Sequence, residues 1–362
     1  MVRVGRRAVF LEPGRPLEYP EFESPSPAPG EMIVRVSMAG VCGTDAHRLD
    51  GDLKAPAVPI AFGHEGIGVI EELGHCITTD WAGQPVALGD WVYWFPSTGC
   101  RRCYHCTVQH DISACEEVAW PPRADVPSAA AFQDYATLPP AVAVYRIPEG
   151  TPPEAVIAFG CAMPTALGGL ARLGPIIAGQ TVVVQGSGPV GLAATLLAAR
   201  SPAQHVVVIG GPAHRLAAAR RLGATTTMDL ESTSADERLD TVRALTAGRG
   251  ADVVVEAAGK LPALAEGLDL LTHNSRYLIL GLYSGKGTAQ INPYRLNNLS
   301  ARIIGSLGSQ PGDVMRTIDL ASRFHRDLGM AELVTHRFPL IETEAAIDSA
   351  RTGLAIKAVV EP

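Results

Sequence analysis

The chain has 362 residues, 47% of them hydrophobic, which is enough for a large core divided between two domains. A formal net charge of −7 with no run of like charges argues against nucleic acid as a partner. The N-terminal apolar run is too short for a secretion signal and no stretch is long enough to cross a bilayer, so we expect a cytoplasmic protein with no membrane partner. The seven cysteines are then expected to be thiols, and their clustering favours metal ligation.

The N-terminal half alternates short β-type runs with turns rich in Pro and Gly, which is typical of an irregular all-β domain. It contains two short motifs, Cys42-Gly-Thr-Asp-Ala-His47 and Gly63-His64-Glu65. A thiolate and an imidazole suit zinc, which would need one or two further ligands from elsewhere in the fold. For either residue alone, a small buried cysteine or a hydrogen-bonded core histidine is the simpler interpretation.

A second cysteine pattern follows in a loop-like stretch, with sulfur donors at Cys100, Cys103, Cys106 and Cys115. Four cysteines at close spacing predict a closed structural zinc site, which leaves no open position for chemistry. His105 and His110 lie close enough in sequence to replace one of them. A redox Cys-x-x-Cys pair is the alternative, but no thioredoxin-like βαβ pattern surrounds it. Cys76 is left without a role.

The second half of the chain is organised around one glycine-rich turn. The apolar run 181–185 meets Gly186-Ser-Gly188-Pro189-Val190-Gly191, and an alanine-rich stretch follows. This order predicts strand, turn and helix, with a dinucleotide bound at the helix N-terminus. Gly186 would allow the tight turn, Gly188 would let a pyrophosphate approach, and Gly191 would let the helix pack closely.

Alternating strands and helices follow the glycine turn. Strands are predicted at 205–209, 252–256, 276–281 and 301–307, and helices at 213–222, 236–246 and 261–271. This alternation predicts an α/β architecture with a parallel, doubly wound sheet.

Taken together, these motifs resemble the zinc-dependent medium-chain alcohol dehydrogenases over nearly the whole chain. The resemblance implies a GroES-like irregular β catalytic domain at 1–155 and 303–362, and a Rossmann coenzyme-binding domain at 156–302. It implies two zinc ions per chain, a structural one on the four-cysteine stretch and a catalytic one on Cys42, His64 and Cys161. Glu65 and Asp45 would lie close to the catalytic zinc. A cysteine at 161 resembles the alcohol dehydrogenase branch, since polyol and threonine dehydrogenases often carry a glutamate there.

The resemblance also implies roles for residues around the reaction. Thr44 and His47 resemble the proton relay that carries the alcohol proton to solvent. Thr165 and Val190 match positions that flank the nicotinamide ring. Lys357 resembles a basic contact to the coenzyme pyrophosphate, with an ordinary surface lysine as the alternative. A bulky or ring-shaped alcohol is compatible with aromatic residues near the family's substrate channel, which would include Trp94, Phe95 and Pro96.

The coenzyme preference depends on the end of the second strand of the Rossmann domain. NAD-specific sites usually carry an acidic residue there, but Gly210 matches that position, so the charge that repels a 2′-phosphate is missing and space is left. His214 and Arg215 follow and are candidates to bind the phosphate, although a basic residue at 215 is also common in NAD enzymes. We therefore expect use of both coenzymes with a modest lean to NADP.

The sequence thus predicts a zinc-dependent, NAD(P)-linked alcohol dehydrogenase that interconverts an alcohol and a ketone or aldehyde, as a homodimer or homotetramer. One alternative is a zinc-independent quinone or enone reductase of the same fold, although such relatives lack the Cys42, His64 and Cys161 set. A non-catalytic coenzyme-binding protein is the other, and it would bind coenzyme without oxidising any alcohol.

Overall fold

The computed structural model describes residues 3–53, 59–95, 97–118, 121–285 and 287–362. The chain divides into two compact units, one formed by the segments Met1–Cys161 and Ser309–Pro362 and the other by Ala162–Gly308. The sequence placed the second junction after residue 302. The structure moves it to 308, because the strand at Arg302–Gly305 is hydrogen-bonded into the sheet of the second unit. None of the helices in the described residues has the length and apolarity needed to cross a bilayer.

The N-terminal part of the first unit is built mainly of short strands. They are β1 Arg3–Arg6, β2 Val9–Phe10, β3 Glu21–Ser24, β4 Met32–Gly40, β5 Ile60–Ala61, β6 Gly66–Leu73, β7 Trp91–Phe95, β8 Tyr135–Leu138 and β9 Ala143–Arg146. Its short helices are α1 Gly43–Leu49, α2 Tyr104–Thr107 and α3 Pro153–Ile157, with a 3₁₀ turn at Ile112–Ala114.

The second unit alternates helices and strands. These are α4 Ala162–Leu173, β10 Thr181–Gln185, α5 Pro189–Ala199, β11 His205–Gly210, α6 Ala213–Arg221, β12 Thr226–Asp229, α7 Ala235–Leu245, β13 Ala251–Glu256, α8 Leu261–Asp269, β14 Leu271–Ile279, α9 Pro293–Leu299 and β15 Arg302–Gly305. All neighbouring strands run parallel, in the order β12-β11-β10-β13-β14-β15.

This strand order is that of a doubly wound Rossmann sheet, with its switch point between β10 and β13. The apolar runs predicted as strands lie at its centre, where Val183, Val207 and Val254 are fully buried. The prediction of a Rossmann fold is confirmed. The sequence missed β12, because its four residues are mostly polar and only Met228 is buried.

The C-terminal part returns to the first unit. It consists of α10 Pro311–Leu328, β16 Val334–Pro339, α11 Thr343–Arg351 and β17 Lys357–Glu361, with 3₁₀ turns at Met330–Leu333 and Leu340–Glu342. The last strand pairs antiparallel with the end of β4, and the main sheet has the order β16-β17-β4-β6-β7-β9, with β8 also on β4. The predicted irregular β domain is confirmed, and β17 carries Lys357 beneath the site described next.

Candidate active site

Four of the predicted site residues converge in the first unit. One possible ligand atom from each of Cys42, His64, Glu65 and Cys161 lies within 4.8 Å of the other three. The Cys42 sulfur is 3.0 Å from His64 Nε2. A hydrogen bond from Cys161, together with the charge of His64, holds the pKa of the Cys42 thiol well below its ordinary value. Two cysteine sulfurs, an imidazole and a nearby carboxylate are donors that zinc prefers, so this group fits a zinc ion.

The local sequence explains how Cys42 and His64 are oriented. Helix α1 begins directly after Cys42, whose sulfur accepts a hydrogen bond from Thr44 N–H at 3.3 Å. Asp45 completes a capping box, because its Oδ2 accepts from Cys42 N–H at 2.9 Å. Its Oδ1 lies 3.2 Å from His64 Nδ1. A carboxylate on Nδ1 leaves Nε2 to face a metal, so the short motif at 42–45 fixes one ligand and orients another.

Glu65 lies in a closely fitted, fully buried position beside the candidate zinc donors. Its Oε1 accepts a hydrogen bond from Cys161 N–H at 2.9 Å. Two glycines make room for it: a Cβ on Gly40 would lie 1.9 Å from Glu65 Oε2, and a Cβ on Gly160 would lie 2.0 Å from the same atom. No side chain fits at either glycine while Glu65 keeps this position.

Lys357 supplies the counter-charge of Glu65, a contact that the sequence did not indicate. Its Nζ pairs with Glu65 Oε2 and donates to the Val41 carbonyl at 2.9 Å, and neither side chain of the pair is exposed. Burial lowers the pKa of Lys357, but the charges of Glu65, Cys161 and Cys42 together outweigh that effect and raise the pKa above its ordinary value, so the ammonium stays charged. Lys357 is therefore not the ordinary surface lysine that the sequence left as an alternative. Lys357 lies directly before the apolar run 358–360, and this is the feature of the sequence from which a buried ion pair could have been predicted.

The two residues predicted to form a proton relay, Thr44 and His47, both lie on α1. Thr44 is half-exposed, and His47 is one helical turn further along. Asp52 was not singled out from the sequence, yet its Oδ2 is 2.8 Å from His47 Nδ1. The Asp52 side chain is 7% exposed and the His47 side chain 31%. The imidazole is thus oriented by a carboxylate while part of its ring reaches solvent.

The second cysteine group lies in the loop that carries α2. The four sulfurs of Cys100, Cys103, Cys106 and Cys115 lie within 4.8 Å of one another. Backbone N–H groups of Glu116 and Cys106 lower the pKa of the Cys103 thiol to about 6, which favours the thiolate that zinc binds. A 3₁₀ turn at Ile112–Ala114 directly precedes Cys115, whose sulfur lies in the group. All four donors are cysteines, so neither neighbouring histidine is needed as a substitute.

The glycine turn has the geometry that its sequence predicts. Gly186 has φ +106°, a conformation that favours glycine. A Cβ on Gly191 would lie 1.9 Å from the Gly186 carbonyl oxygen, so the start of α5 packs against the turn only without a side chain there. A Cβ on Gly188 would meet nothing within 4 Å, which leaves open space for a phosphate at the N-terminus of α5. Pro189 and Val190, the first residues of α5, are half-exposed at this edge.

The remaining predicted positions have mixed outcomes. Thr165 lies half-exposed on α4. Arg215 lies on α6, where burial lowers the pKa of its guanidinium. Trp94 is fully enclosed and its Nε1 donates to the Ala129 carbonyl at 2.8 Å, so it belongs to the core and not to a substrate channel. Phe95 is also buried, whereas residue 96 lies outside the described residues.

Gly210 does not provide the space that the sequence indicated. A Cβ at this position would lie 2.5 Å from Ser187 Oγ and 3.0 Å from Ser187 N. The Ser187 hydroxyl is held in place, since it donates to the Gly211 carbonyl at 2.8 Å and accepts from Gly211 N–H at 3.0 Å. The end of β11 is therefore bonded to the glycine turn, and position 210 admits no side chain without moving that turn.

A Rossmann sheet with a glycine turn, combined with a β domain that presents a Cys-His-Cys group and a Cys₄ group, defines a zinc-binding, nucleotide-linked dehydrogenase. Family models agree with this class: "Alcohol dehydrogenase GroES-like domain" matches residues 28–149 and "Zinc-binding dehydrogenase" matches residues 189–323. The chain belongs to the zinc-dependent medium-chain dehydrogenase family. It is an enzyme that catalyses alcohol oxidoreduction with NAD(P).

Individual relatives match nearly the whole length of the chain. The 5-exo-hydroxycamphor dehydrogenase of Pseudomonas putida is 43% identical over 99% of both chains. The L-threonine 3-dehydrogenase of Bacillus subtilis is 30% identical over 92% of this chain and 91% of its own. Among solved structures, an alcohol dehydrogenase from Thermotoga maritima has a TM-score of 0.90 and 29% identity, covering 99% of this chain and 100% of its own.

Proposed function

We propose that this enzyme oxidises a bulky, cyclic secondary alcohol to the ketone, with zinc at the Cys42, His64 and Cys161 group. The convergence of these three donors beside Glu65 carries the proposal of zinc catalysis. The substrate class rests on the relative that is 43% identical and is named for a hydroxycamphor, which is a bicyclic secondary alcohol. A cysteine at 161 also matches the alcohol dehydrogenase branch and not the glutamate frequent in threonine dehydrogenases.

We propose two zinc ions per chain with separate roles. The group at Cys42, with an imidazole and a carboxylate nearby, suits a catalytic ion, which when bound supplies the Lewis acidity that lowers the pKa of an alcohol. The group at Cys100 consists of four cysteines and leaves no position for a substrate, so it suits a structural ion.

Thr44 and His47, both on α1, carry the proton of the reaction. A nicotinamide coenzyme, when bound, would supply the hydride acceptor for the alcohol carbon, and the proton of the alcohol oxygen must reach solvent. The Thr44 hydroxyl accepts that proton and gives its own proton to His47. The His47 ring then releases a proton to water. Asp52 holds the His47 ring by its Nδ1, so the other ring nitrogen is left for the proton transfer.

Three further features are part of the proposal. Position 210 lacks a carboxylate, so both NAD and NADP are accepted with a modest lean to NADP. The enzyme works as a homodimer or homotetramer. It belongs in the cytoplasm, because all seven cysteines are free thiols and six of them form the two metal groups.

A substrate panel combined with metal analysis tests the proposal. Purified enzyme with NAD or NADP is given a bicyclic terpene alcohol, cyclohexanol, 2-propanol, ethanol and L-threonine, and the reduced-nicotinamide absorbance is followed. We expect the highest kcat/KM for the bicyclic alcohol. Zinc content should be two per chain in wild type and one in Cys42→Ser, whose turnover should be lost.

Cys76→Ser is the matched control, because Cys76 is an exposed thiol outside both cysteine groups. It should keep two zinc ions and full turnover. A Cys42→Ser enzyme that still oxidised alcohols at the wild-type rate would refute zinc catalysis, and a panel in which L-threonine is the best substrate would refute the substrate class.

A further inference from the structure

The missing carboxylate at the end of β11 has a counterpart on the neighbouring strand. Strands β11 and β12 run parallel, and Asp229, the last residue of β12, is the register partner of Gly210. Parallel neighbours in register present their side chains to the same face of a sheet, with the strands about 4.8 Å apart. A Cβ built on Gly211 would have Asp229 Oδ1 as its nearest neighbour, at 3.9 Å. The carboxylate thus lies beside the end of β11.

One oxygen of the Asp229 carboxylate is held by a hydrogen bond within the fold, and the other oxygen is left to accept from a ligand. Its Oδ1 accepts a hydrogen bond from Glu231 N–H at 2.9 Å, which fixes the side chain at the strand end. Within the part of the chain that the structure describes, no donor contacts Oδ2. The side chain is half-buried, at the C-terminal edge of the sheet where a Rossmann fold binds its dinucleotide.

We propose that the Asp229 carboxylate accepts hydrogen bonds from the adenosine ribose of the coenzyme. Asp229 is hence the residue of this chain that disfavours NADP. A carboxylate at this edge accepts hydrogen bonds from ribose hydroxyls and repels the charge of a 2′-phosphate. Arg215 on α6 acts in the opposite sense by attracting the phosphate. The inference rests on the use of NAD(P), but not on which alcohol is oxidised.

Equilibrium binding of the two coenzymes measures the effect of Asp229 on coenzyme preference without any catalytic step. Dissociation constants of NAD and NADP are determined by isothermal titration calorimetry for wild type and Asp229→Asn. Asparagine keeps an oxygen to accept from Glu231 N–H, so the strand end should stay folded. We expect the ratio of the NADP constant to the NAD constant to fall about tenfold, which corresponds to the loss of one close like-charge contact. The change should shrink at high salt, since screening weakens charge repulsion.

Two further variants locate the effect. Glu231→Gln removes the same charge two residues away on an exposed side chain, and it should leave the ratio unchanged. Gly210→Asp should weaken both coenzymes together, because its Cβ displaces Ser187 and the glycine turn, and not convert the preference towards NAD.

The possible results separate this inference from the proposed function. An Asp229→Asn ratio equal to that of wild type, or a Glu231→Gln ratio that falls equally, overturns the role of Asp229. If the ratio falls as expected but no alcohol of the panel is oxidised, the substrate proposal fails and the role of Asp229 stands. A wild-type protein that binds neither coenzyme would overturn both.

Discussion

The buried pair between Lys357 and Glu65 gives the sharpest test of how the first unit holds its site. Both side chains have no exposed surface, and Nζ has a second acceptor in the Val41 carbonyl. In Lys357→Met, Glu65 would keep only the hydrogen bond from Cys161 N–H and would be left as a buried charge without its lysine partner. Breaking a buried pair from one side costs about 3–5 kcal/mol, or roughly a hundred- to several-thousand-fold in the unfolding equilibrium.

Urea unfolding of the zinc-loaded protein measures this loss, followed by tryptophan fluorescence. All four tryptophans precede residue 161, so the signal reports the first unit. Arg337→Met is the control for a surface pair, since Arg337 is 44% exposed beside Glu361 and should lose about 0–1 kcal/mol. Zinc content of each variant, measured alongside, separates loss of the charge pair from loss of metal.

The double variant Glu65→Gln with Lys357→Met removes both charges. It should lose less stability than the sum of the single variants, because no unpaired charge is left in the core. Equal losses for Lys357→Met and Arg337→Met, or strict additivity in the double variant, would show that the buried pair does not stabilise the fold in this way.

Three other outcomes are expected. Cys103→Ser should release one zinc ion and lower the thermal midpoint before it lowers kcat, and metal analysis with a thermal melt would contradict this if both ions were retained. His47→Gln should slow alcohol oxidation most at neutral pH and less at alkaline pH, where hydroxide accepts the proton, and Asp52→Asn should show a weaker form of the same profile; unchanged pH–rate profiles would refute the relay. Gly191→Ala should weaken NAD and NADP binding at least tenfold, because its methyl group overlaps the Gly186 carbonyl, and calorimetric constants equal to wild type would argue against that packing.

The patterns that the sequence determined are short in range. Residues 42–45 form a capping box and residues 186–191 a turn, and both geometries follow from neighbours within a few positions. The four-cysteine group spans 16 positions and is likewise readable from spacing alone. Buried apolar runs identified most strands of the second unit, because burial on both faces requires such runs in a parallel sheet.

The tertiary structure decided the contacts between segments that are distant in the sequence. Lys357 meets Glu65 across 292 positions, and no local pattern encodes which buried acid a buried lysine will find. Asp229 stands beside Gly210 because the sheet order places β12 next to β11, and the polar composition of β12 concealed the strand from sequence reasoning. Position 210 looked open from the sequence, yet Ser187 fills it, since packing between a turn and a strand end depends on side-chain positions that only the folded chain defines.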